Sequence, residues 1–288
     1  MRALENSLGV ALFRRVGRGV VPTTVADSLR PHAEATLAAA EEARQAVAAV
    51  RALETGTIRF GMFGAARLYL GSALIADVLA RHPGVRVELI GQNSSEVQEQ
   101  LRRGHLEAAL IALPVVSEGL EVTPIARDEL VYLSTAPEHL TGPISARQLA
   151  KAFLVMPETT WRAEDSTRVI LRQMLQEAGA TAHTRIEVED IETAVELVGL
   201  GLADSVLPLG AVEQLVPRLA PGAGWVSLRP KQYDTIGIVH RKSAVLSPAA
   251  RLMIELATAR IQSISEPLTP HGRSQHRTSP SGTTPATR

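Results

Sequence analysis

Between residues 57 and 264 the chain alternates between short strand-like and longer helix-like runs, and that alternation leaves few architectures open. Residues 58–63 and 108–112 are apolar runs of strand length, and residues 85–90 alternate at period two. Between them Leu68, Gly71, Ile75, Val78 and Leu79 mark one helix face, and Ser95 with Gln98 has the pattern of a capping box before a helix carrying Val97 and Leu101. A second series follows, with strands predicted over 130–133, 153–156, 183–188, 205–207 and 235–240. Its helices run through 169–175, behind Asp190 with Ala194, Val195 and Val198, and behind Ser247 and Pro248. The reading is an α/β fold with mainly parallel sheets covered by helices on both faces. Two series in about 200 residues predict two lobes. Open α/β sheets bind ligands beyond the carboxyl ends of their strands, so the cleft between the lobes is the expected small-molecule site.

Composition excludes several classes. Cysteine is absent, which rules out disulfides, thiolate zinc sites and a cysteine nucleophile. Aromatics make up 3% of the chain, so the cores must be built from Leu, Val, Ile and Ala. No apolar leader and no run of bilayer-spanning length is present, and the expectation is a soluble, cytoplasmic protein without membrane contact. Net charge is zero, but residues 1–24 carry Arg2, Arg14, Arg15 and Arg18 against the single acid Glu5.

That basic segment reads as a helix end with Leu4 and Leu8 on one face and Gly9 as its stop, followed by a β-hairpin around Gly17, Arg18 and Gly19 that closes at Pro22. Residues 25–55 read as one long helix. Leu29, Thr36, Ala43 and Val50 recur every seven residues, as do Ala33, Ala40 and Val47 on the same side. A seam of this kind asks for a partner helix, and therefore a dimer, or else for packing onto the chain's own C-terminal body. Residues 265–288, rich in Ser, Thr, Pro and Gly, read as a disordered tail.

Catalytic motifs are missing. Gly199, Gly201 and Asp204 mimic a dinucleotide fingerprint, but a helix precedes them and a strand follows, the reverse of what phosphate binding needs. The eight histidines show no metal-ligand spacing, and there is no G-x-S-x-G elbow. No enzyme activity, metal or cofactor is expected. Candidate ligand contacts sit at strand ends. Phe63, Gly64, Ala65 and Ala66 would let a ligand approach the backbone. Asn93, Ser94 and Ser95 open a helix, where free N–H groups suit an anion, although Ser95 equally suits a plain cap. Thr159 and Thr160 follow the strand ending at Met156.

Leu4 with Glu5, Leu8 with Gly9, the Leu12, Phe13, Arg14, Arg15 run, Arg18, and Pro22 with Thr23 and Thr24 together resemble the end of the winged helix-turn-helix of LysR-type transcriptional regulators. Gly56 to Gly61, His82 with Pro83, Leu101 with Gly104, and the glycine-rich stretch ending at Leu207 and Pro208 match further family features in order. The resemblance implies a two-lobed effector domain like a type 2 periplasmic binding protein, over residues 56–264, with one lobe near 57–125 and 232–264 and the other near 126–231. It implies promoter DNA and a small, often anionic metabolite as partners, and a dimer or tetramer. By position it implies effector contacts from Phe63 to Ala66, Asn93 to Ser95, Ala112, Met156, Pro157, Thr159, Thr160, Asp204 and Ser205. DNA contacts would come from Arg2, Arg14, Arg15, Arg18, Thr23 and Thr24. In the family, two helices and most of a recognition helix precede the Leu-Glu pair; here Leu4 is the fourth residue, so a partial DNA-binding module is expected. The alternative is an effector-binding module without sequence-specific DNA binding of its own, a sensor or a subunit that poisons mixed dimers.

The seam generates a first prediction. Ala40→Glu with Val47→Glu should convert the oligomer to monomers; light scattering that shows an unchanged mass would remove the helix-pairing argument.

Overall fold

The computed structural model describes residues 2–16, 19–91, 93–115, 117–160, 164–242 and 244–268. Helix α1 (Arg2–Leu8) stops at Gly9, whose φ of 68° is the left-handed value that favours glycine. Strands β1 (Phe13–Val16) and β2 (Gly19–Pro22) pair antiparallel with Phe13 opposite Pro22. Their turn residues Gly17 and Arg18 lie outside the described residues. Glu5 Oε1 accepts from the backbone N–H groups of Leu12 (2.8 Å) and Phe13 (3.1 Å), tying helix to hairpin. Thr23 Oγ1 accepts from Ala26 N (3.3 Å) and so caps α2 (Thr24–Thr55). At 32 residues this helix is about 48 Å long. On the proposed seam Leu29 is half-buried, while Ala33, Thr36 and Ala40 are exposed. The side chains of Ala43, Val47 and Val50 lie outside the described residues.

The first lobe is built from β3 (Thr57–Met62), a short α3 (Gly64–Ala66), a π-helical turn (Arg67–Gly71), α4 (Ser72–Arg81), β4 (Arg86–Ile90), α5 (Ser94–Arg102) and β5 (Ala108–Leu113). Strands β4, β3 and β5 are parallel, with β3 in the middle. Of the expected helix face Gly71 and Val78 are buried and Leu68 and Ile75 half-buried, Leu79 is exposed, and Leu70 and Leu74 complete the buried side.

The chain crosses into the second lobe along β6 (Leu120–Ser134) and passes through a 3₁₀ turn (Pro137–Leu140), β7 (Ile144–Ser145), α6 (Ala146–Leu149) and β8 (Phe153–Met156). Helix α7 (Ser166–Glu177), β9 (His183–Glu187), α8 (Ile191–Gly199), β10 (Ser205–Pro208) and α9 (Leu209–Leu219) complete the lobe. The chain returns along β11 (Gly224–Arg241) to α10 (Pro248–Ile264) and β12 (Glu266–Pro267). The backbone of α2 runs beside α10.

Two expectations are corrected here. The sheets are not mainly parallel: in the order β10-β6-β11-β5-β3-β4, strand β6 pairs antiparallel with both β10 and β11, and β11 pairs antiparallel with β5. The cause is topological. β6 carries the chain out of the first lobe and β11 brings it back, so the two must run in opposite directions. Sequence pattern caught only their apolar ends, since Arg127, Asp128 and Glu129 in one and Arg229 to Gln232 in the other interrupt the apolar runs. The predicted disordered tail also begins too early: Glu266 and Pro267 pair with Arg127 and Ala126, and Arg127 meets the Glu266 carboxylate at 2.6 Å.

Packing joins the lobes. One buried cluster contains Phe60, Met62 and Leu74 of the first lobe and Val195, Val198 and Leu207 of the second. It also takes in Ala211, Val212 and Leu215 of α9, which lies against α3 and the π turn. At the end of β4, Gly91 has a φ of 113°, and a Cβ there would come within 2.1 Å of Val97 Cγ2 on α5. This approach sets where α5 begins. Gly91→Ala should therefore lower stability by about 2 kcal/mol or more, through both backbone strain and overpacking. Urea unfolding measures it, and an unchanged midpoint would contradict the close approach.

Candidate functional site

A cavity of ≈ 40 Å³ lies where the carboxyl ends of β3, β5, β8 and β10 meet the crossover strands. Both lobes and the hinge contribute to its walls. Phe63 follows β3 and Ala65 belongs to α3, and Asn93 and Ser94 come from the start of α5. Ala112 belongs to β5, and Met156 and Pro157 to the end of β8. These seven were all singled out from sequence.

The start of α5 differs from the expected capping box. Asn93, two residues before Ser95, is the N-cap and accepts from Glu96 N at 2.8 Å. An N-cap of this kind contributes about 1 kcal/mol. Ser94 Oγ accepts from Ala112 N at 3.0 Å, pinning α5 to β5 across the cavity floor. Ser95 lies inside the helix.

Other expected residues stand elsewhere. Gly64 is not a cavity wall, and Ala66 is buried in the core. Thr159 Oγ1 donates to Val188 O (2.9 Å) and Thr160 Oγ1 to Glu189 Oε2 (2.8 Å), so both threonines fasten the loop after β8 to the loop after β9. Ser205 is fully buried and donates to Val155 O (2.9 Å). Asp204 sits away from the cavity in a cluster of its own, accepting from the Tyr132 hydroxyl and lying 3.1 Å from His139 Nδ1.

Residues that sequence reasoning missed are mostly polar. Glu158, Asp165, Ser166, Thr167 and Asp234 also line the cavity. Asp234 lies on β11 directly opposite Asp128 on β6. The two are 2% and 4% exposed, a like-charge pair facing each other across the hinge. Each is satisfied at one oxygen by the start of a second-lobe helix. Asp234 Oδ2 accepts from Thr167 Oγ1 (3.0 Å) at the head of α7, and Asp128 Oδ1 from Gly210 N (3.2 Å) at the head of α9. Gly210 matters for space: a Cβ there would lie 3.1 Å from both Asp128 Oδ2 and the Tyr69 ring.

Burial raises the pKa of Asp128 to about 6, despite the Gly210 N–H. Burial, then the Asp165 charge, raises Asp234 to about 7. Burial, then Asp165 and Glu189, raises Glu158 to about 8, with Arg168 and Arg67 opposing. Glu158 also holds a positive φ of 59°, uncommon for a side-chain-bearing residue. Arg168 braces this strained turn. Its guanidinium donates to Met156 O (3.1 Å), to Pro157 O (2.7 and 2.9 Å) and to Glu187 Oε1 (2.9 Å). A larger groove of ≈ 470 Å³ runs between α7 and β9, but its walls all belong to the second lobe, so it does not report how the lobes are related.

Residues 51–262 match the family model described as the LysR substrate binding domain. The chain belongs to the LysR family. It is 31% identical over 214 residues to the HTH-type transcriptional regulator ShiR of Corynebacterium glutamicum (strain R), covering 73% of this chain and 72% of that one. In fold, this LysR-family chain is similar to full-length OxyR from Pseudomonas aeruginosa, with a TM-score of 0.69, 24% identity, and 95% and 87% of the two chains covered. It is also similar in fold to the effector binding domain of QuiR in complex with shikimate, with a TM-score of 0.61, 16% identity, and 74% and 100% covered.

The raised carboxyl at Asp234 has a consequence for stability. A folded pKa near 7 against an ordinary 3.8 means that the folded chain binds this proton more tightly than the unfolded chain. Its contribution is therefore most favourable below about pH 4 and is lost as pH rises towards 7. Asp234→Asn keeps an acceptor for Thr167 and removes the charge. The variant should melt above the parent at pH 8, by an amount worth a few kcal/mol, and the two should converge near pH 4. Parallel melting curves at all pH values would contradict it.

Proposed function

We propose that this chain is a transcription regulator that senses a small molecule between its two lobes and passes the change in lobe geometry through α2 to the DNA-facing hairpin. The carrying observation is a cavity walled by both lobes and by a crossover strand. Occupancy there has leverage on the lobes, because the walls on either side belong to different units joined at β6 and β11. Family membership supports the regulatory role, and the QuiR effector domain, solved in complex with shikimate, supports a small-molecule site in this fold. No catalytic role is assigned to any residue, and a cytoplasmic site of action follows from the regulatory reading. Among the described residues no helix is long and apolar enough to cross a membrane.

In this reading Phe63, Ala65, Asn93, Ser94, Ala112, Met156 and Pro157 touch the effector. Residues 1–24 face DNA, 25–55 pair subunits and 56–264 form the sensor. Arg2, Arg14 and Arg15 are exposed on the first of these segments. Arg14 and Arg15 on a hairpin suit phosphate contact, which positions a protein without reading sequence. Thr23 is occupied as the cap of α2, which leaves Thr24 as the exposed hydroxyl beside it.

Mobility shift with the 288-residue chain on the promoter fragment next to its own gene, across a salt series, tests the proposal. Arg14→Ala with Arg15→Ala should weaken binding to every sequence alike and lower the salt slope by about two. Binding without sequence preference would favour the sensor module that lacks autonomous DNA reading.

A further inference from the structure

Asp234, Asp165 and Glu158 form acidic walls around the cavity, and among the described residues no Lys, Arg or His lines it. The nearby cations are committed elsewhere: Arg168 to the carbonyls of Met156 and Pro157 and to Glu187, and Arg67 Nη1 to Gly91 O at 2.8 Å. Of the helix starts that reach the cavity, α5 and α7 are filled, whereas α3, behind Phe63, carries no side-chain cap. Asn93 caps α5, with Ser94 Oγ taken by Ala112 N. Asp165 caps α7, accepting from Arg168 N at 2.9 Å, and Asp234 is held beside it by Thr167. At α5 and α7 the protein's own acceptors thus occupy the places where an anionic ligand would find N–H donors.

One acceptor is left open. Asp234 is almost fully buried and lines the cavity, and its Oδ1 has no partner. An unpaired buried carboxylate oxygen asks for a donor, and a charged donor satisfies it best. Among the described residues no three His, Cys, Asp or Glu groups are placed to hold a metal ion.

We propose that the cleft takes a small molecule through a protonated amine, received by Asp234 Oδ1 with Asp165 and Glu158 around it. This rests on the reading of the cleft as the effector site and names the chemistry of its ligand. An ammonium group is small enough to enter a cavity of this size and supplies the N–H donors that the walls lack.

Binding is coupled to protons. Asp165 and Asp128 face Asp234 as acidic groups, with Thr167 as its hydroxyl partner and the Ser166 hydroxyl beside it, and burial holds it near pKa 7. Asp165, Glu189, Arg168 and Arg67 face Glu158. An incoming ammonium favours the ionised carboxylate, so below pH 7 it must displace a proton. Affinity should climb about tenfold per pH unit from 5 to 7 and level off above.

The test uses the full chain and thermal shift at pH 8 with methylammonium, 1,4-diaminobutane and glucosamine. Their controls are methanol, 1,4-butanediol and glucose as uncharged counterparts, and acetate and shikimate as carboxylates. Ammonium compounds should raise Tm more than their uncharged counterparts, and the effect should shrink at pH 5.5. Asp234→Asn, which keeps the acceptor for Thr167, should abolish the shift, and Glu158→Gln should weaken it. Failure of every ammonium probe to raise Tm overturns the proposal. Stabilisation by a carboxylate but not by amines, lost in Ala112→Leu, also overturns it while leaving the cleft as the effector site. An amine shift that survives both Asp234→Asn and Ala112→Leu places binding elsewhere and overturns the cleft reading as well.

Discussion

Asp128 and Asp234 face each other on the two strands that join the lobes, and much of the molecule is arranged around them. Like charges in register on neighbouring strands repel, and burial sharpens the penalty. Each carboxylate is offset by a helix start from the second lobe, α9 for one and α7 for the other. The two acids therefore fix where those helices begin relative to the hinge. The Tyr69 hydroxyl, buried next to Asp128 on the π turn of the first lobe, brings the opposite wall to the same place; burial, then the Asp128 charge, pushes its pKa well up. A change in charge at this point acts on both lobes at once.

The rest of the cleft follows from chain direction. Parallel strands β3 and β5 end at the same edge of the first lobe, and β8 ends opposite them. Helix starts and strand ends collect there because the βα order puts them there. Arg168 is spent in holding the turn that carries Glu158, and the threonines after it fasten that turn to the loop before α8. An arginine in a cleft is easily taken for an anion receptor. Here its hydrogen bonds show a brace.

Much of this was legible in the residues. The βα alternation, the capping aspartate Asp190, the serine cap at Ser247 and the glycine stop at Gly9 are local properties, decided by side chains within a few residues of one another. The strand-end positions Phe63, Ala112 and Met156 were readable for the same reason, since parallel strands place their carboxyl ends together. Asp204 was misplaced by that logic. It follows a helix terminator and precedes a strand, but its side chain turns to Tyr132, a residue seventy-two positions earlier in the chain. The length of β6 and β11 was missed because a strand paired on both sides at a hinge can carry Arg, Asp and Lys, which periodicity reads as a break.

What the sequence determined by itself was the α/β class, the order of the elements, the long helix in front and the family, all of which rest on local pattern or on motifs in order. What the tertiary structure decided was which polar residues share the cleft. Glu158, Asp165 and Asp234 are scattered through the chain in segments that look solvated, and no spacing links them. They meet because β11 returns antiparallel beside β6 and lays one aspartate against another, and because α7 starts where that strand crosses between the lobes. Contact across the hinge is set by register and crossing direction, and those are properties of the folded sheet.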